Sequence, residues 1–428
     1  SATTEVLELT IEKLIYGGDG LARLPGDERG RGKAVLLPFV LEGERVEAAL
    51  AEEKPGFARA RVERVLEASP QRVAPACPYF TQCGGCHYQH AGYEQQVAVK
   101  AAILRETLRR TAKLELPGEI QVHPSPPWSY RNRTRLRVQA QPFALGYYRM
   151  GSHRLLAVEQ CPISSPLINR ALAALWELGR AQRLGGGLQE VEIFADAEDR
   201  KLALEFHAAA EAELPKALAQ DVAAVLPEAA TLALVRGSDP GRPEILLGEG
   251  ALTYATRRAS YRVSAGSFFQ TNRYLTDELL ELVTAERSGT TALDLYAGVG
   301  LFATALAQAF ERVLAVESAA PAYADLKHNV PAQVKCFHAT TQEYLERKTR
   351  SAAGLVVVDP PRAGLGERVV RLLGRLAAPR LTYVSCDPAT LSRDLRGLLE
   401  LGFRVEQVHL VDLFPQSFHI ESVLHLAR

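Results

Sequence analysis

Net charge is missing from this 428-residue chain, in which 50 Lys and Arg stand against 50 Asp and Glu. A global attraction for polyanions is thereby excluded as an argument, and any such partner must be met by a local arrangement of side chains. No apolar run approaches the roughly 18 residues of a membrane span, and the first residues lack the basic and apolar regions of a secretory signal. The expected compartment is the cytoplasm, with no membrane partner. Cysteine is scarce, six residues in all, which argues against a disulfide-stapled scaffold and favours metal-binding or catalytic use. The lone Met150 and the isolated Cys336 look structural. Internal repeats and low-complexity tracts are absent as well, and nothing points beyond a monomer.

What is present divides into three segments. Residues 1–70 contain short apolar runs (6–11, 33–40, 46–50, 58–65) punctuated by Gly17, Gly18 and Gly20, a spacing that predicts a small β-barrel of the OB type. Such barrels often hold single-stranded nucleic acid, although topology alone fits a packing module equally well. Residues 71–265 read as a mixed α+β domain. It has a helix over 93–114 with cations toward its end, a hairpin over 190–207 and a helix over 211–226. From 266 to 428 strands and helices alternate, with compact apolar runs at 292–296, 313–317, 355–359 and 381–385 typical of buried parallel strands. The runs 403–411 and 420–426 leave no room for a helix between them, so the chain is predicted to close on an antiparallel hairpin. The fold class is thus multidomain, ending in an α/β Rossmann-like unit.

Two of these strand ends carry chemistry. One apolar run stops at Ser385-Cys386-Asp387-Pro388 and another at Asp359-Pro360-Pro361-Arg362. In a parallel α/β sheet, groups beyond the carboxyl ends of the strands gather in one crevice, so a thiol and a carboxylate are expected together there, as in an enzyme with a cysteine nucleophile. After the first strand, Gly298 and Gly300 in Asp294-Leu-Tyr-Ala-Gly-Val-Gly allow a tight turn and close approach of a ligand, and Glu317 ends the next strand, placed to accept from ribose hydroxyls. The same glycines, with Ala303, satisfy a nicotinamide-dinucleotide pattern. The thiol, the carboxylate and the terminal hairpin favour an S-adenosylmethionine methyltransferase over that dehydrogenase.

Cys77, Cys83 and Cys86 lie on one short loop, and Cys161 stands far downstream. Three thiolates together and a distant fourth suit a 4Fe-4S cubane better than zinc, which more often uses two separated Cys-x-x-Cys pairs. Arg131, Arg133, Arg135 and Arg137 alternate along a predicted strand, with Arg149 and Arg154 beyond it and no acidic residue between 129 and 154. Their period of two forms a row that attracts phosphates, with Tyr130, Tyr147 and Tyr148 available to stack on bases. Phe268, beside Gln270, offers a ring and an amide for a flat base.

In combination these motifs resemble the RNA uracil-5-methyltransferase family, in the branch that acts on 23S ribosomal RNA. The likeness covers nearly the whole chain. Residues 1–70 are similar to its TRAM barrel, the four cysteines to its 4Fe-4S site, and Ser129-Tyr-Arg-Asn-Arg133 to its basic strand. Phe268-x-Gln270-x-Asn272, 294–300, 359–362, 385–388 and His419-Ile420-Glu421 resemble its catalytic motifs in the same order. The resemblance implies Cys386 as nucleophile and Glu421 as general base. It implies Gln270, Tyr296, Glu317 and Asp359 as contacts of S-adenosylmethionine. Leu301 and Thr340-Thr341 depart from the residues common in the family. The implied partner is RNA, 23S ribosomal RNA ahead of transfer RNA. The competing reading is an RNA-binding protein with a vestigial methyltransferase domain.

Overall fold

The computed structural model describes residues 6–28, 30–238, 242–347 and 352–428. Strands Val6–Thr10, Lys13–Leu14, Asp19–Arg23, Ala34–Pro38, Arg45–Glu53 and Phe57–Glu67 form one six-stranded sheet. Val6–Thr10 pairs with Arg45–Glu53 at one edge, while its continuation Lys13–Leu14 pairs with Asp19–Arg23 at the other. A single chain segment therefore closes the sheet into a barrel. Leu9, Val35, Leu37, Val46 and Ala58 fill it, each flanked by more exposed neighbours as the pleat requires.

The second sheet runs in the order Leu155–Ala157, Ala144–Tyr148, Arg133–Gln139, Leu188–Ala195, Leu202–Ala208, Ala229–Arg236, Glu244–Leu247. Two helices pack on it, Pro166–Arg180 and Leu218–Val225. The first is started by Ser165, whose side chain accepts from the Ile168 amide, with Pro166 in the first turn where its missing N–H costs nothing. The sequence reading left this helix unassigned. It also expected a helix over 211–226, of which only Leu218–Val225 forms, because Pro215 disfavours helical geometry just before it.

The third sheet has the order Val334–His338, Phe310–Glu317, Gly289–Leu295, Leu355–Val358, Arg380–Ser385, Glu421–Ala427, Arg404–Val411, Gln121–His123. Its first five strands are parallel, and the C-terminal hairpin is antiparallel as expected. Alternate residues face two helical layers. Leu293, Leu295, Val356, Val358 and Leu381 meet the helices Tyr93–Thr111, Gly366–Arg375 and Pro388–Glu400. Ala292, Val357, Val384 and Val423 meet Thr276–Thr284 and Leu301–Leu306.

This packing runs across the expected division at residue 266. Ile103, Leu104 and Leu108 of helix Tyr93–Thr111 belong to the core of the third sheet, and Gln121–His123 is its edge strand, parallel to Arg404–Val411. The hairpin Ala251–Ala255/Ser260–Ser264 also buries Leu252, Tyr254 and Val263 in that core. Segments 93–123 and 251–265 thus pack with the C-terminal unit, and the second sheet is inserted between them.

Candidate active site and cysteine centre

Strand register brings the reactive groups together. Leu295 pairs with Val358 and Val358 with Tyr383, so Tyr296 and Asp359 leave the sheet at one level. Ser385 pairs with Ser422 across the antiparallel junction, which sets the next residues outward, Cys386 and Glu421, opposite each other. Cys386 stands between its strand and helix Pro388–Glu400, which Asp387 caps by accepting from the Ala389 and Thr390 amides at 2.9 Å. That short connection holds the sulfur at the crevice.

The crevice is crowded with acid groups. Burial pushes the half-buried Cys386 thiol up to about 12, the carboxylates of Glu421, Asp359 and Asp387 adding to the rise and the Arg362 guanidinium opposing it. Burial, reinforced by Asp359, holds Glu421 well above the usual carboxyl range. Burial alone pushes Asp359 up to about 7. Asp294 is raised well above its ordinary value by burial and then by Asp359, and among the described residues neither of its oxygens has a well-formed hydrogen bond. Buried like charges disfavour ionisation of one another, so these carboxyls hold protons that exposed ones would lose.

The turn after the first strand is shaped for a ligand. Tyr296 has φ 61°, a left-handed conformation that costs a non-glycine residue on the order of 1–3 kcal/mol. Gly298 has φ +57°, and a Cβ there would meet nothing within 4 Å, whereas one on Gly300 would come 3.0 Å from the Leu326 side chain. Gly298 therefore faces open space, and Gly300 is favoured by its φ of +98°, with the Leu326 side chain close against it. Glu317 accepts from the Gly298 and Ala319 amides, both at 2.7 Å, fixing this turn to the next strand. Gln270 is buried. Open backbone, a carboxylate at the second strand end and Asp359 beside them fit a nucleoside carrying a cation, as S-adenosylmethionine does.

The four cysteines Cys77, Cys83, Cys86 and Cys161 line one cavity together with Gln89 and Arg131. Burial, first among several causes, raises the Cys77 thiol and pushes Cys83 to about 11 and Cys86 to about 12. The Gly85 amide donates to the Cys83 sulfur at 3.4 Å, and Asn169 clamps Cys161 by accepting from its amide and donating to its carbonyl. Among the described residues no set of three or more His, Cys, Asp or Glu is drawn together as a ready site for a single metal ion. Just beyond Cys86, the His87 and Tyr88 amides donate to the Gln416 carbonyl, and the Gln96 side chain bonds Tyr88, Ala91 and Gln416. The cysteine loop is thus tied to the hairpin connection that leads into Glu421.

The arginine row requires a correction. Arg133 pairs with Glu192 at 2.5 Å, Arg135 with both Glu190 and Glu192, and Arg137 with Glu190. The acids sit on the adjacent strand Leu188–Ala195, out of sight of a reading along one strand, so the row is not a free phosphate-attracting stripe. Arg131 is turned inward toward the cysteines, its Nε buried without a hydrogen-bond partner among the described residues. Arg131, Arg133, Arg135, Tyr147 and Phe268 nevertheless wall one groove of about 480 Å³, and Phe268 is 64% exposed there. Its loop is stitched to the arginine strand: the Asn132 amide donates to Thr271, and the Arg273 amide to Tyr130. Asn272 donates to Leu413 of the hairpin connection. Arg362, Asp294 and Gln416 were not singled out as functional from the sequence, although Arg362 and Asp294 lie inside motifs that were.

A parallel sheet closed by an antiparallel hairpin, with a glycine turn, an acidic second strand end and a thiol beyond the fifth strand, defines an S-adenosylmethionine-dependent methyltransferase and not a dehydrogenase. The profile of the tRNA (Uracil-5-)-methyltransferase family matches residues 92–428, and that of the TRAM domain matches residues 2–62. The chain belongs to the RNA uracil-5-methyltransferase family, and its substrate is RNA. It is 33% identical to an "Uncharacterized RNA methyltransferase" of Aquifex aeolicus, over 97% of each chain. It is 32% identical to the 23S rRNA (uracil(1939)-C(5))-methyltransferase RlmD of Edwardsiella ictaluri, over 99% of this chain and 96% of that one. The fold is similar to that of the Pyrococcus abyssi tRNA (uracil-54, C5)-methyltransferase solved with S-adenosyl-L-homocysteine, with TM-score 0.77, 24% identity and coverage of 98% and 100%. Among the described residues no helix is long and apolar enough to cross a membrane.

Proposed function

We propose that this enzyme methylates carbon 5 of a uridine in 23S ribosomal RNA through a covalent bond between Cys386 and the base. The observation that carries the reading is the strand register that sets Cys386 opposite Glu421 at the sheet end, beside Asp359. Carbon 5 of uracil is a weak nucleophile. Addition of the Cys386 thiolate to carbon 6 places electron density on carbon 5, which then takes the methyl group. S-adenosylmethionine, when bound, supplies that methyl group on a sulfonium. Glu421 removes the proton from carbon 5, and the electron pair so released expels the Cys386 sulfur from carbon 6. The raised proton affinity of Glu421 suits it to hold a proton taken from carbon once it has entered the step ionised. Arg362 is the cation that opposes the surrounding carboxylates at Cys386.

The target base has to leave its stack to reach this crevice. Exposed Phe268 is placed to stack against it, and Arg135, half exposed, meets the backbone in the groove. Ribosomal RNA is favoured over transfer RNA by relatives at 32% identity over nearly full length that carry that activity in their names. The four cysteines fit a 4Fe-4S cluster. They line a single cavity with Arg131, whose buried Nε has no hydrogen-bond partner among the described residues, and the Gly85 amide already points at one sulfur, an environment that suits an anionic cluster.

On denaturing gels with substrate RNA, Cys386→Ala is expected to abolish the protein–RNA adduct, and Glu421→Gln to accumulate a methylated one. An undiminished adduct with the alanine variant refutes the assignment. Mapping 5-methyluridine in 23S and transfer RNA from cells with and without the protein decides between the two RNAs.

A further inference from the structure

One helix touches both the glycine turn and the loop that carries Phe268. Ala320–Asn329 follows the strand that ends at Glu317, and its residues Pro321, Asp325 and Asn329, four apart, share one face. Segment 262–267, which leads into Phe268, runs antiparallel along that face. A Cβ on Gly266 would come 3.4 Å from the Pro321 ring. The Asp325 carboxylate accepts from the Ser264 amide at 2.8 Å and from the Ser264 and Ser267 hydroxyls at 2.6 and 2.7 Å. Asn329 pairs with Arg262 in both directions, accepting from its amide at 2.7 Å and donating to its carbonyl at 3.0 Å. Asp325 and Ser267 are buried, so the exposed Phe268 ring stands on a hydrogen-bonded footing supplied by this helix.

The same helix grips the glycine turn. The Asn329 amide group also donates to the Val299 carbonyl at 2.9 Å, between Gly298 and Gly300, and Leu326 lies against Gly300. At the other end Glu317 accepts from the amide of Ala319, the residue that caps the helix, and from that of Gly298. We propose that helix Ala320–Asn329 couples the two sites, with Asp325 and Asn329 as positioning residues through which a methyl donor bound at the turn orders the loop that presents Phe268. The inference rests on the placement of donor and base given above. A nucleoside on the open Gly298 backbone restrains the turn, and the bonds at both ends of the helix pass that restraint to segment 262–267. RNA arriving second then meets a loop whose ordering is already done, which favours its binding without a change of shape. Linkage makes the effect reciprocal.

The test is hydrogen exchange of the full-length protein with and without S-adenosyl-L-homocysteine, read by mass spectrometry on peptides covering 262–268 and 294–300. In the unaltered protein the ligand is expected to slow exchange in both, by roughly fivefold or more at 262–268. Asn329→Asp keeps an acceptor for the Arg262 amide and loses the bonds donated to Val299 and to the Arg262 carbonyl. It should retain protection at 294–300 and lose the ligand-dependent part at 262–268. Asp325→Asn leaves the Val299 bond in place and should lose that part over 264–268. If both variants merely speed exchange at 262–268 by the same factor with and without ligand, the two residues are only structural and the proposal is overturned. Protection at 294–300 without protection at 262–268 in the unaltered protein overturns it as well. Absence of protection at 294–300 overturns the donor site itself, so the two failures are told apart.

Discussion

On strand Arg133–Gln139 each arginine meets a carboxylate one strand away, whereas at the end of the catalytic sheet Asp294, Asp359 and Glu421 crowd together with Arg362 as the opposing cation at the thiol. The first arrangement neutralises itself and holds its strands in register. The second is left uncompensated, at a cost in stability that burial of like charges always carries. Acid groups kept in that state are available for proton transfer, and paired arginines are available only to a partner that competes with Glu190 and Glu192.

Removing one of the crowded acids tests the contrast most severely. Asp359→Asn is expected to lower methylation by about a hundredfold or more and yet to raise the melting temperature near pH 8. The sign follows from linkage. Asp359 holds its proton up to about pH 7 when folded, against an ordinary value of 3.8. The folded state therefore binds more protons than the unfolded one between those values, and stability falls as pH rises through that window. The asparagine variant should lack this decline, and parallel melting curves for both proteins across pH 4–8 would contradict the account.

The cysteine centre gives the next largest effect. If the four cysteines hold the proposed cluster, Cys83→Ser is expected to remove its visible absorbance and to lower the melting temperature by several degrees. Limited proteolysis should then open the chain near 414–419, since the Gln96 and Gln416 hydrogen bonds join the two loops. Unchanged protection there would separate the cysteine loop from the catalytic hairpin. Smallest is the effect of releasing the arginines. Glu192→Gln should tighten RNA binding about two- to fivefold at low salt, with a steeper salt dependence. Weaker binding would mean that the carboxylate itself contacts RNA.

The parts of this architecture that were legible in the sequence are those written locally. Cys386, Asp359 and the glycine turn each follow a strand, and Glu421 opens the antiparallel one, so strand order and direction carry them to one crevice. The pairing of the arginines was hidden, because Glu190 and Glu192 lie more than fifty residues onward and become neighbours only when the sheet forms. The packing across residue 266 was hidden for a related reason: the apolar face of helix Tyr93–Thr111 gives no sign of which core receives it.

That helix and the edge strand Gln121–His123 have a consequence for how the molecule is made. They leave the ribosome before the central sheet, and the surfaces that cover them are synthesised last. The inserted sheet can collapse on its own in the interval, while Ile103, Leu104 and Leu108 must wait uncovered for helix Pro388–Glu400. A fragment cut at residue 266 would expose the matching apolar groove, so a catalytic piece has to keep helix Tyr93–Thr111, the edge strand and the insertion.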